Sequence, residues 1–116
     1  MQKSNKPIAG YHILMILSAV DGDFSPREGI KIKEYLEEEF PFPVNLDNEL
    51  ETIVNLQPEE WQNHFEFHAK CFFDDSTEEE RLNFVVFAKK LIRADHLVTA
   101  DEHRFYTLLK NLWNIN

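Results

Sequence analysis

Asp21-Gly22-Asp23-Phe24-Ser25-Pro26-Arg27-Glu28 aligns without a gap to Asp95-His96-Leu97-Val98-Thr99-Ala100-Asp101-Glu102. Asp opens both copies and Glu closes both. Phe24 pairs with Val98, and Ser25 pairs with Thr99. In each copy Ser or Thr stands three residues before Glu, the spacing of a capping box. The hydroxyl accepts from a first-turn N–H, and the carboxylate reaches back to the cap N–H. Pro26 sits where a helix has no use for its first N–H. Each copy is therefore a corner that ends an apolar helix and starts an amphipathic one.

On either side of these corners the periodicity is helical. Ile8 to Val20 is an apolar helix that enters the first corner. Ile32, Tyr35, Leu36 and Phe40 form one face of the helix that leaves it, and Pro41 and Pro43 stop that helix. A short helix is expected from about Leu46 to Leu56. Pro58, at a first helical position, opens the next, whose stripe is Trp61, Phe65, Ala69 and Phe72. Asp74-Asp75-Ser76 ends it. Ser76 with Glu79, or Thr77 with Glu80, caps the helix that follows. Leu82 to Ile92 is the most apolar segment, which predicts a central helix. Phe105, Leu108, Leu109, Leu112 and Trp113 mark the last one. No stretch alternates with period two, and no Asn-Gly or Asp-Gly joins two strand-like runs. The expected fold is all-α: one domain over residues 1–116, a bundle of five or six helices containing two related helical hairpins, with 46–74 inserted between them.

The chain has 116 residues, one domain's worth. It is 43% hydrophobic and 28% charged, which excludes a chain disordered along its length. The net charge of −9 disfavours nucleic acid and anionic membranes. It favours a basic protein partner. The single cysteine, Cys71, excludes an internal disulfide and fits a reducing compartment. No run of eighteen apolar residues exists to form a transmembrane helix. Lys3 and Lys6 before Ile8 to Val20 look like a signal peptide in length. Tyr11, His12 and the direct entry into the repeated corner point instead to the first helix of a cytoplasmic domain.

An apolar helix, then Asp-Gly-x-apolar-Ser-x-x-Glu, then a second helix resembles the TerB-like (tellurite-resistance protein B) family. The likeness spans about Ile8 to Ile115. It implies an all-helical bacterial protein linked to stress or envelope response, with no established catalytic activity. The family's acidic positions fall on Asp21 and Glu28, and on Asp95 and Glu102. His96 replaces the glycine that the family has after the aspartate.

These acids have two readings. Glu28 and Glu102 can simply cap helices, and Asp21 and Asp95 can close turns. Against that, Asp21 and Asp95 stand at helix C-terminal ends, where the macrodipole disfavours an anion. If the two corners meet, Asp21, Asp23, Glu28, Asp95 and Glu102 can offer oxygens to Ca2+ or Mg2+. The first corner is not an EF-hand. Pro26 stands where the loop needs glycine, and Ile32 where it needs a bidentate Glu.

His64, His68 and Cys71, with Glu60, share one helical stripe and are zinc-binding types. Their spacing matches no compact zinc signature, and they equally flank the apolar face, with Cys71 as a small hydrophobe. No nucleophile elbow, Walker loop or dinucleotide-binding glycine motif occurs. Phe40, Phe42, Val44 and Trp113 either cover the core or form an apolar patch for a partner. The expected function is a non-enzymatic acidic binding module that engages a protein and holds a divalent cation at the Asp/Glu corners. The alternative is a small metal-dependent hydrolase or other metalloenzyme using His64, His68 and nearby acids.

Overall fold

Between Pro7 and Ala19 the chain carries no charged residue, so no face of that helix can be left in water. The computed structural model describes residues 6–19, 26–39, 47–93 and 100–115, and builds them around this segment. Helix α1 (Lys6–Ala19) touches every other helix: α2 (Pro26–Glu39), α3 (Asp47–Val54), α4 (Trp61–Asp75), α5 (Glu78–Arg93) and α6 (Ala100–Leu112). Its most extensive partner is α4. Every residue from Ala9 to Ser18 is buried. Among the described residues there is no strand, and the fold is an all-α bundle of six helices.

The centre of the bundle corrects one expectation. Leu82 to Ile92 promised a central helix, yet Leu82 is 44% exposed and Val86 is 54% exposed. Helix α5 buries only one face, through Phe84, Val85, Ala88, Leu91 and Ile92. Arg81, Lys89 and Lys90 make its opposite face soluble. The all-round apolar helix is α1.

The remaining helices bury the stripes their spacing predicts. Ile32 and Leu36 of α2, and Phe65, Ala69 and Phe72 of α4, lie in the core, as do Phe105 and Leu109 of α6. Trp113 also belongs to the core. It stacks on Phe72 (ring centroids 5.1 Å apart) and donates its indole N–H to the Ala69 carbonyl at 2.8 Å. Its partner-patch reading therefore falls. Phe40, Phe42 and Val44 lie outside the described residues.

The backbone N–H of Thr77 donates to Glu80 Oε1 at 2.8 Å, and that of Glu80 donates to Thr77 Oγ1 at 3.1 Å. This reciprocal capping box selects Thr77–Glu80 over Ser76–Glu79 as the start of α5. Pro58 does not begin α4 directly. Pro58–Glu60 is a 3-10 turn, and Trp61 is the first α-helical residue. The short tight turn precedes the α-helix because Glu60 folds back, its carboxylate accepting from Gln57 N–H at 2.8 Å.

Helix α3 positions an acidic side chain against α1. Ile53 anchors it in the core. Glu49 lies one turn earlier on the same face and is thereby aimed at α1.

Candidate metal centre

His12 is the single imidazole inside the apolar run of α1. A polar ring there needs partners, because burying an unpaired one costs about 1–3 kcal/mol. Helix α4 supplies two. His64 and His68 are four residues apart, so they face the same way, and the face they share is the one packed on α1. One ligand atom from each of the three histidines lies within 4.8 Å of the others. His12 and His68 are buried, and His64 is half-buried.

Hydrogen bonds fix the order of the cluster. His12 Nε2 stands 2.7 Å from Glu49 Oε1. A carboxylate only accepts, so the His12 proton belongs on Nε2 and the Nδ1 lone pair is free to accept. His64 Nε2 stands 2.7 Å from that Nδ1 and donates to it. The chain therefore runs His64 to His12 to Glu49. His68 stacks on His12, with ring centroids 4.0 Å apart and planes 10° apart. The edge of the Phe67 ring closes over His68 at 5.0 Å.

Burial sets the charge state. Desolvation holds His68 down to about 3, with the neighbouring His12 and His64 pushing the same way. It holds His64 down to about 4, where His12 again lowers it and Glu60 and Glu49 pull it back up. His12 is also lowered by burial, against the hydrogen bond and charge of Glu49. All three are neutral at pH 7. Neutral imidazole is the form that ligates a metal, so near neutrality no imidazolium has to lose its charge, and the one proton in the way is the His64 Nε2–H shared with His12 Nδ1.

The geometry is near what a tetrahedral ion needs. Two imidazole nitrogens at zinc distance are ~3.3 Å apart. Here the separations start at 2.7 Å and extend to 4.8 Å. The His12–His64 pair has to open slightly. A bound metal lies in the plane of each ring, so stacked His68 has to turn about its Cβ–Cγ bond. Glu49 behind His12 Nε2 is the carboxylate–histidine pair that orients a metal-bound imidazole from outside.

The expected ligands fare differently. His64 and His68 come together as expected, but Cys71 does not join them; it is a buried small hydrophobe. Glu60 is engaged by Gln57. Asp21, Asp23 and Asp95 lie outside the described residues. Glu28 lies in the first turn of α2, and its side chain is outside the description. Glu102 is buried in the first turn of α6 and belongs to no group of metal-ligating side chains among the described residues. Whether the two acidic corners meet thus lies outside the described residues. His12 and Glu49 are the residues that reading the sequence missed. The available signal was a lone imidazole in an uncharged apolar helix, a local rule broken without visible compensation.

No family model, no curated protein and no solved structure matches the chain.

Proposed function

We propose that the protein is a non-enzymatic binding module whose α1–α4 interface holds one divalent transition-metal ion. The ligands are His12 Nδ1, His64 Nε2 and one nitrogen of His68, with Glu49 orienting His12 from behind. The observation that carries this is the convergence of three neutral imidazoles from two helices, with a carboxylate on the far nitrogen of one. In the metal-free protein a proton lies between His12 Nδ1 and His64 Nε2. Binding replaces that proton with the ion, and the His64 ring takes up its other neutral tautomer, with the proton on Nδ1. All-imidazole ligation selects Zn2+, Cu2+, Ni2+ or Co2+ over Ca2+ and Mg2+. The net charge of −9 draws cations toward the surface.

A structural rather than catalytic ion is favoured, because His12 and His68 are buried and the one groove described in the fold shares no residue with the cluster. The kinship with TerB-like domains, a stress-linked role, a cytoplasmic setting and a protein partner belong to the same proposal. They rest on the repeated acidic corners and the charge. No helix among the described residues is long and apolar enough to cross a membrane.

The test is thermal melting of chelator-treated protein with Zn2+, Ca2+ or Mg2+. At a free concentration a hundredfold above Kd, Zn2+ adds about 2.7 kcal/mol to stability. For a domain of this size that raises Tm by roughly 10 °C. Ca2+ and Mg2+ leave Tm unchanged. An unmoved Tm with Zn2+ sinks the metal site. A rise with Ca2+ alone returns the cation to the acidic corners.

A further inference from the structure

On the α5–α6 side of the bundle lies an open groove of about 720 Å3. Its floor is apolar: Leu82, Val85 and Val86 from α5, and Ile115 from the segment after α6. Its polar lining is Tyr106, Lys89, Lys90 and Lys110. None of the described lining residues is acidic. That is unexpected for a chain with 21 Asp and Glu against 12 Lys and Arg, and it makes the groove a basic spot on an acidic molecule. Lys110 is held over the Tyr106 ring, its Nζ 5.6 Å from the centroid. Leu82 and Val86 stand four residues apart and leave about half their surface in water. Apolar rows at that spacing pack the matching row of another helix.

We infer that this groove docks an acidic amphipathic helix of another protein. The apolar row of the incoming helix would lie along Leu82, Val86 and Ile115. Its Asp and Glu side chains would meet Lys89, Lys90 and Lys110. The open, two-helix shape suits a helix laid lengthwise, the recognition mode in which anchors repeat every three or four residues. Charge complementarity sets the sign of the partner, and it is opposite to the basic partner that the overall charge of the chain suggests. The groove shares no residue with the histidine cluster, so this inference and the metal site stand or fall separately.

The probe is a fluorescein-labelled helical peptide with Leu repeating at i and i+4 and Glu at its flanking positions. A second peptide replaces every Glu with Lys. Anisotropy should report saturable binding of the acidic peptide and at least tenfold weaker binding of the basic one. The triple variant Lys89→Glu/Lys90→Glu/Lys110→Glu should weaken the acidic peptide at least tenfold, and Val86→Asp should do so alone. Val86, Lys89 and Lys90 are exposed and Lys110 is half-buried, and circular dichroism checks that the variants remain folded. Raising salt should weaken binding several-fold. Three results overturn the inference. One is no saturable binding, or equal binding of both peptides. Another is saturable binding of dodecanoate without binding of the acidic peptide, which would assign the groove to a small amphiphile. The third is a dimer that the triple lysine variant dissociates, which would assign it to a second copy of the chain.

Discussion

Helices α1 and α5 are both rich in large apolar residues, yet one is the axle of the bundle and the other lies on its surface. Helix α1 has no charge between Pro7 and Ala19 and is buried all round. Helix α5 carries Arg81, Lys89 and Lys90, and it turns Leu82 and Val86 outward. What places a helix at the centre here is the lack of any face that water can accept, rather than the number of apolar residues. The two helices also differ in what their exceptions do. In α1 one exception is the buried His12, which must be satisfied from neighbouring helices and is. In α5 the exceptions are exposed apolar residues beside lysines, which call for something from outside.

The most severe test of that contrast is a matched pair of truncations. Leu14→Ala, at a fully buried site of α1, should cost about 3–4 kcal/mol, from lost transfer energy and the cavity left behind. Leu82→Ala in α5 should cost under ~1 kcal/mol, because the side chain is already half in water. Chemical denaturation of both variants measures the difference. Equal costs would erase the distinction between the helices.

Acid should act on α1 through the histidines that α4 packs against it. The folded-state values of His64 and His68 lie below the ordinary imidazole value of 6.5. Below pH 6.5 the unfolded chain therefore binds more protons than the folded one, and stability falls as pH falls. The loss begins near pH 6.5 and continues down to the folded values of about 4 and about 3. From buried His68 alone it amounts to about 2 kcal/mol between pH 7 and pH 5. Urea melts at these two pH values check the sign. Stability that is flat or rising toward pH 5 would contradict it.

His68→Leu separates packing from ligation. Replacing a buried polar ring with an apolar side chain of similar size should change metal-free stability by no more than about 1 kcal/mol, in either direction. The acid sensitivity should shrink, and the response to Zn2+ should disappear. A variant that still gains stability from Zn2+ would remove His68 from the ligand set.

Gly10→Ala has the smallest expected effect. An added Cβ on α1 would stand 3.0 Å from Leu36 Cδ2 and 3.1 Å from Phe84 Cε2. Both neighbours are buried and have little room to yield. Alanine returns about 1 kcal/mol of helix propensity, against about 1–2 kcal/mol for crowding by a single methyl. The net should be a loss of up to ~1 kcal/mol by denaturant melts. A clear gain would mean that α1 is packed more loosely than its burial implies.

The helices were legible because their signals are local. Thr77 with Glu80 announces α5, and the Phe65, Ala69, Phe72 stripe announces the buried face of α4. Which helix is central was misjudged, because counting apolar residues in Leu82 to Ile92 ignores the lysines among them. The histidine cluster was half legible. His64 and His68 share a helical face, which spacing reveals. His12 and Glu49 lie 52 and 15 residues before His64, and only tertiary packing brings them to it. The direction of that packing was also hidden. The stripe of His64, His68 and Cys71 suggests a shared site, but Cys71 ends in the apolar core and the third imidazole comes from α1.

Titration of chelator-treated protein with Co2+, followed by visible absorption, tests the metal centre most directly. One ion should bind per chain, with the intense d–d bands of a four-coordinate site. Those bands should be displaced by Zn2+ and weakened at least tenfold in affinity by His64→Gln, the change at the least buried of the three histidines. A spectrum no different from aqueous Co2+, or bands that survive His64→Gln unchanged, would contradict it.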